Sequence, residues 1–283
     1  MAVDHISLQT TPVRLYKGKD LVSQGTGFYY VRGGNSEHQV LFLVTNFHVL
    51  TGSAPAEKKP PIGDSITFEF HRSVDNTSDL KTVQMPLFTK DGQPVWISST
   101  TSPDADMAAI LIPLQASIGC QVNCISREWA DSGKLKVRPT STVTLVGYPY
   151  GYYDTKNALP IWKTGSVASE PDVDFEGQPL FLVDISAFPG MSGSPAFAIS
   201  YGMYETEDGS TSVGGARRFL GIYASMQMLK QHRYLEQLNQ QNKFGIQTEE
   251  SLQLGHIWKA KLIIDTIANV DVATYERDVL SRL

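Results

Sequence analysis

Three side chains of the kinds used in acyl transfer stand in short, distinctive contexts. Ser192 lies in Phe188-Pro189-Gly190-Met191-Ser192-Gly193-Ser194-Pro195, a Gly- and Pro-bounded turn between two runs that read as strands, residues 180–185 and 196–199. Glycine allows the backbone dihedrals closed to other residues and a close approach to a ligand. A serine held there can present its hydroxyl with peptide N–H groups converging beside it. Attack on a carbonyl needs both, a nucleophile and donors for the oxyanion. The same residues also make an ordinary tight turn, so the meaning of the motif rests on finding a base and an acid elsewhere.

Six histidines are available as the base: His5, His38, His48, His71, His232 and His256. His38 falls in a hairpin loop, His5 near the start and His232 in a polar stretch. His71 and His256 follow strand-like runs with no Gly or Asn context. His48 differs, because it closes the apolar run Leu43-Val44-Thr45-Asn46-Phe47-His48-Val49-Leu50. A polar ring at the end of a core strand needs a hydrogen-bond partner, either as a satisfied core histidine or as a catalytic one. Among the acids, Asp106 opens the almost wholly apolar run Met107-Ala108-Ala109-Ile110-Leu111-Ile112. A carboxylate at that edge is partly desolvated and must be hydrogen-bonded or paired. Orienting an imidazole is one such pairing, and capping a turn is another. Asp104 competes for the role but lies outside the apolar run.

The elements that must position these groups are short and extended. The chain has 283 residues, 41% apolar and 19% charged, enough for one large or two small domains with a substantial core. From residue 13 to about residue 185, apolar, β-branched or aromatic runs alternate with Gly, Pro, Asn, Asp and Ser clusters. Strands are predicted at residues 13–16, 25–31, 39–45, 65–70, 83–87, 95–98, 107–112, 141–146, 161–168, 180–185, 196–200 and 218–225, with a polar, Gly-rich hairpin tip at 204–215. Residues 115–138 lack alternation and read as a crossing segment. Helical spacing is confined to residues 228–243, a surface helix or docking insertion, and 257–267, a clearer amphipathic helix. Many short strands with one closing helix suggest paired barrels or a sandwich.

Composition excludes several function classes. A net charge of −5 without basic runs argues against a general affinity for nucleic acid or anionic membranes. No basic start followed by an apolar run marks a secretory signal, and no apolar run is long enough to span a bilayer. Cys120 and Cys124 are the two cysteines, too few for a disulfide framework, and are expected as free thiols in a reducing cytoplasm. No metal or cofactor is expected.

The three stretches together resemble the chymotrypsin-like (trypsin-like) serine proteases, in particular the bacterial intracellular-type branch without disulfides. Thr45-Asn46-Phe47-His48-Val49 is similar to the histidine motif, Asp106-Met107-Ala108 to the aspartate strand start, and Gly190-Met191-Ser192-Gly193-Ser194-Pro195 to the nucleophile motif. The chain order His, Asp, Ser is that of this fold. Gly25-Thr26-Gly27-Phe28, Gly147-Tyr148-Pro149 and Phe219-Leu220-Gly221-Ile222 resemble further family segments, so that the likeness runs from about residue 13 to 268.

The resemblance implies an all-β fold of two six-stranded Greek-key β-barrels with a C-terminal helix, forming one peptidase domain over residues 1–283. Barrel 1 would span about 13–118, the crossing segment about 119–138, and barrel 2 with its helix about 139–283. It implies a serine endopeptidase with Ser192 as nucleophile, His48 as base, Asp106 as orienter, and an oxyanion hole of the Gly190 and Ser192 N–H groups. Digestive members carry an Asp immediately before the nucleophile, paired with a newly cleaved N-terminus. Met191 stands there, so activation by N-terminal insertion is not expected. Control would then come from expression, an activating or adaptor protein, or loop ordering. The specificity pocket maps onto Ser186, Ala187, Ala224 and Ser225, suggesting an uncharged small or medium side chain, with Asp184 near enough to keep a basic preference open. Rival readings are a catalytically idle binding or scaffold module on the same fold, an esterase, and a regulated effector protease with one protein substrate.

Overall fold

The computed structural model of the protein describes residues 3–33, 39–131, 135–236 and 243–282, without the side chains of residues 226–251 and 282. His38 and the tip of the expected hairpin at 34–35 lie outside the described residues.

The first half contains β1 (Thr10–Lys17), β2 (Asp20–Arg32), β3 (Val40–Thr45), β4 (Ser65–His71), β5 (Leu80–Pro86) and β6 (Ala108–Leu111). They form one antiparallel sheet in the order β5-β4-β1-β2-β3-β6. Beyond β5 the Val95 N–H donates to the Leu87 carbonyl (3.0 Å), and Ile97 exchanges bonds of 2.8 and 2.9 Å with Ala109 of β6. The ring is thus carried round from β5 to β6 by an irregular segment. The strand predicted at 95–98 is reduced there to a single bridge at Ile97. The second half contains β7 (Thr142–Gly147), β8 (Ile161–Val167), β9 (Leu180–Asp184), β10 (Pro195–Glu205), β11 (Thr211–Glu236) and β12 (Lys243–Lys259). These close into a barrel in the order β10-β11-β12-β9-β8-β7. The two six-stranded units are those expected.

Three apolar clusters explain why so many strands read as continuous apolar runs. Alternate side chains point to opposite faces of a strand, and here both faces are covered. Tyr29, Leu43, Ala108 and Ile110 point into the core of the first unit. Their neighbours Phe28, Tyr30, Phe42, Val44, Ala109 and Leu111 point to a layer shared with Val146, Phe197, Phe219 and Ile222 of the second. Phe28 meets Phe219 edge-on at 5.5 Å between ring centres. A third cluster, with Val143, Leu145, Val183, Met191, Ala196 and Ile257, fills the second barrel. The shared layer is therefore a core in its own right, and it runs behind the groove between the barrels.

Helices are short: α1 (Phe47–Thr51), α2 (Leu114–Ser117), α3 (Arg127–Asp131), α4 (Ala260–Ala268) and α5 (Val272–Asp278). α4 starts three residues later than its periodicity suggested. Ile257 and Trp258 pair with Tyr223 and Ile222 on one side and with Phe181 and Leu180 on the other, so the ladder holds them extended. Among the described residues of 228–243 the predicted helix is absent. Its described residues continue β11 and β12, in register from Met228↔Ser251 to Glu236↔Lys243. The leucine spacing fitted a helix, but the alternating run from residue 244 to 254 supplies a partner strand, and pairing takes precedence. The expected hairpin tip at 204–215 is mostly strand, with the turn confined to residues 206–210. α4 and α5 carry the chain back to the first unit, where Arg32 donates to the Ile267 and Val270 carbonyls (2.8 and 2.7 Å) and the Tyr275 hydroxyl donates to the Val95 carbonyl.

Among the described residues no helix is long and apolar enough to cross a membrane. Both cysteines are free thiols. Burial pushes the Cys124 thiol up to about 12, so the reactive thiolate is scarce at pH 8. Iodoacetamide at pH 8 is expected to leave Cys124 unmodified in the folded protein and to alkylate it in urea, read by peptide mass mapping. Rapid alkylation in the folded state would contradict the burial of this residue.

Candidate active site

His48 is placed by the helix that follows β3. Val49 and Leu50 are buried at 1% and 0% exposure, which pins α1 against the first core and turns His48 outward. The helix ends at Gly52, whose φ of 87° is left-handed and whose N–H closes on the His48 carbonyl at 2.7 Å. Asp106 is 8% exposed between Ala105 and Met107, both buried. Its Oδ2 lies 2.5 Å from His48 Nδ1, and its Oδ1 accepts the His48 main-chain N–H at 3.0 Å. One carboxylate thus grips ring and backbone of the same histidine, holding the proton on Nδ1 and leaving Nε2 as the basic nitrogen. Asn46 donates from Nδ2 to the Asp106 carbonyl (2.5 Å) and locks the two strand ends together. Asp104 is exposed and forms no bond to the ring. Other histidines are engaged elsewhere: His71 Nε2 donates to the Asn157 carbonyl at 2.8 Å, and His5 meets Asn123.

The loop carrying Ser192 is held by a residue of the other barrel. Thr26, fully buried, donates its N–H to the Ser192 carbonyl (2.8 Å) and its hydroxyl to the Gly190 carbonyl (2.8 Å). The hydroxyl oxygen accepts from the Tyr148 N–H (3.1 Å), and the Thr26 carbonyl accepts from the Thr45 hydroxyl (2.7 Å). Such close approach needs glycine. A Cβ on Gly193, at φ +89°, would stand 1.8 Å from the Thr26 carbonyl oxygen, and one on Gly147 would stand 2.0 Å from Ser194 Oγ. Met191 points the other way, into the second barrel's core at 0% exposure.

Two peptide planes of this loop have fixed directions. The Pro189 carbonyl accepts from the Tyr150 N–H at 2.6 Å, and the Met191 carbonyl accepts from the Ser194 N–H at 2.9 Å. In a trans peptide the N–H points opposite to the C=O. The Gly190 and Ser192 N–H groups are therefore turned away from these anchors, and neither finds an acceptor among the described residues. Tyr150 itself sits at φ 50°, ψ 20°, a left-handed conformation costing a bulky residue on the order of 1–2 kcal/mol.

Ser192 and His48 line one cavity of about 710 Å³ between the barrels, together with Asp106. The Ser192 hydroxyl donates to the Ala224 carbonyl at 2.9 Å, and among the described residues no bond joins it to His48. Of the residues assigned to a specificity pocket, Ala224 and Ser225 line the cavity, whereas Ser186 and Ala187 do not. Ser186 is exposed and Ala187 is buried at 2% in the second barrel. Asp184 is likewise outside the lining, exposed at the end of β9 opposite Leu254. Sequence reasoning missed Phe188, Tyr223, His256 and Trp258 as lining residues. Trp258 was missed because the helical reading began at residue 257.

This arrangement agrees with the comparison by family. Residues 25–203, more than half of the chain, match the trypsin-like peptidase domain, and the protein belongs to that family. No curated protein matches the chain. Among solved structures it is similar to the Rv3671c protease in an inactive form, with 14% identity and a TM-score of 0.44 over 94% of this chain and 91% of that one. It is similar to a serine endoprotease from Yersinia pestis, with 12% identity and a TM-score of 0.46 over 98% and 68%. A third is the scabies mite inactivated protease paralogue S-I1, with 14% identity and a TM-score of 0.44 over 99% of each chain.

Substitutions at two positions, Thr26 and Met191, test the packing of the loop. Thr26→Val strands the Gly190 carbonyl and the Tyr148 N–H in a dry site and should cost about 2–4 kcal/mol in urea unfolding, since each unmet buried group costs about 1–3 kcal/mol. Thr26→Ser keeps both bonds and should lose much less. Met191→Asp places a carboxylate in an apolar core and should destabilise by several kcal/mol. Near-native stability of that variant would mean a polar partner stands where the packing has none.

Proposed function

We propose that the protein is a serine endopeptidase that hydrolyses peptide bonds through Ser192, His48 and Asp106 and an acyl-enzyme. The observation that carries this reading is the two-point grip of Asp106 on His48 in the same cavity as Ser192. Substrate binding would move the Ser192 hydroxyl from the Ala224 carbonyl to His48 Nε2. His48 would take the proton as Ser192 Oγ attacks the carbonyl, then deliver it to the leaving amine, while Asp106 stabilises the imidazolium. The unengaged N–H groups of Gly190 and Ser192 would receive the oxyanion, and one such donor is worth about 3–4 kcal/mol in the transition state.

The buried Met191 supports a nucleophile loop ordered without an N-terminal ion pair, and hence control by expression or by an activating or adaptor protein. The free thiols support a reducing, cytoplasmic setting. Neither nucleic acid nor a membrane is a partner in this proposal. A second reading, an idle binding or scaffold module, draws on the Ser192 bond to Ala224 in place of His48.

A fluorophosphonate probe separates the two readings. Wild-type protein should label stoichiometrically at Ser192, Ser192→Ala should not label, and Asp106→Asn should label at least about a hundredfold more slowly, because the wrong histidine tautomer is then favoured. Folded wild type that resists the probe would support the idle module.

A further inference from the structure

Away from the nucleophile, the cavity contains a second polar pair that the proposed mechanism does not use. His256 projects from β12 into the cavity, and its Nδ1 lies 3.1 Å from Ser225 Oγ. Ser225 directly follows Ala224, whose carbonyl holds the Ser192 hydroxyl, so the pair and the nucleophile belong to one continuous wall. The surroundings are apolar, with Leu180, Tyr223 and Trp258 lining the same end of β9, β11 and β12. A Cβ on Gly255 would stand 2.5 Å from the Tyr223 ring. Glycine there lets that ring lie flat against β12 beside His256.

With one ring nitrogen committed to Ser225, the other is left for a ligand, and the serine hydroxyl adjusts to either tautomer. The pair therefore offers a donor and an acceptor on an apolar wall of the cavity, with His256 half-buried and Ser225 exposed. Burial holds the His256 pKa below its ordinary value, against the opposing pull of Glu176, an exposed residue outside the lining. The ring is thus uncharged near neutral pH. Among the described residues no lysine or arginine lines the cavity to offset a carboxylate on a ligand. The carboxylates that do line it, those of Glu57, Asp104 and Asp106, all belong to the first half of the chain, and Asp106 is already committed to His48.

We propose that His256, oriented by Ser225, selects the side chain of the residue whose carbonyl is attacked, and that this side chain is glutamine. Its methylenes suit the apolar walls, and its carboxamide supplies the donor and acceptor that the pair needs. A shorter apolar side chain leaves the pair unmet, which such a site penalises heavily. This rests on the endopeptidase reading, and the test keeps the two apart.

The experiment has a catalytic and a binding arm. In the first, kcat/KM is measured on matched peptides carrying Gln, Glu, Leu or Lys at the cleaved position, with wild type, His256→Leu and Ser225→Ala, alongside fluorophosphonate labelling as a measure of intact catalytic machinery. Wild type is expected to prefer Gln over Leu and Lys by at least about a hundredfold. His256→Leu should abolish that preference by lowering kcat/KM on the Gln peptide to the level of the Leu peptide, and Ser225→Ala should weaken it. In the second arm, Ser192→Ala and the double variant Ser192→Ala/His256→Leu are titrated with a peptide ending in Gln or Leu, which reads the pocket without catalysis. Labelling with no Gln preference, a preference for Glu or Lys, or a preference that survives His256→Leu overturns the proposal and leaves the endopeptidase reading standing. Absent labelling with His256-dependent binding of the Gln peptide overturns the endopeptidase reading and upholds this one. Absent labelling with no such binding overturns both.

Discussion

Thr26 is the interaction on which the rest depends. It belongs to the first barrel by sequence and strand, yet its N–H and hydroxyl hold the carbonyls of Ser192 and Gly190 in the second. A threonine can do this because one hydroxyl both donates and accepts, here to Gly190 and from Tyr148. Four glycines, at 25, 147, 190 and 193, clear the space, since a Cβ on any of them would meet an atom closer than 3.0 Å. His48 and Asp106 are fixed on the first barrel and Ser192 on the second, so the distance between His48 and Ser192 is set by how the barrels meet. Thr26 bonds across that junction, at the loop where an error would matter most.

The shared apolar layer gives the junction its rigidity. Phe28, Phe197 and Phe219 pack edge to edge or tilted, at 5.5–5.7 Å, and α4 and α5 bring the end of the chain back over the first unit. A close-packed interior resists small displacements. The barrels therefore present their loops to the cavity as one body. Met191 completes the same logic from below. Its side chain is buried in the second barrel's core with Leu145, Ala196 and Ile257 and anchors the loop there.

Much of this was legible from the residues. His48 and Asp106 stood out because each is polar at the end of an apolar run, and burial without a partner is costly. The structure gives each the other as partner. The strands of the first half were legible because Gly, Pro and Asn clusters punctuate them. Three things were hidden for physical reasons. The extension of β11 and β12 was misread because leucine spacing within one segment says nothing about the partner strand that decides its conformation. Ser186 and Ala187 were assigned by counting back from Ser192, but residues 188–190 turn too sharply for the count to hold, so that Ala187 ends in the barrel core and Phe188 at the cavity. His256 was passed over because a histidine after a strand-like run has no local mark of what it will face.

The most direct measurement is a crystal structure of the protein after reaction with a peptidyl phosphonate. The expected adduct joins phosphorus to Ser192 Oγ, with one phosphoryl oxygen within about 3 Å of both the Gly190 and Ser192 N–H groups. His48 Nε2 faces the bridging oxygen, and Thr26 keeps its bonds to the loop. The Pro189 carbonyl is expected to remain on the Tyr150 N–H, with no turn of that peptide needed. An adduct in which that peptide has flipped to point its carbonyl at phosphorus, or in which the loop has left Thr26, would contradict a nucleophile loop held ready by the opposite barrel.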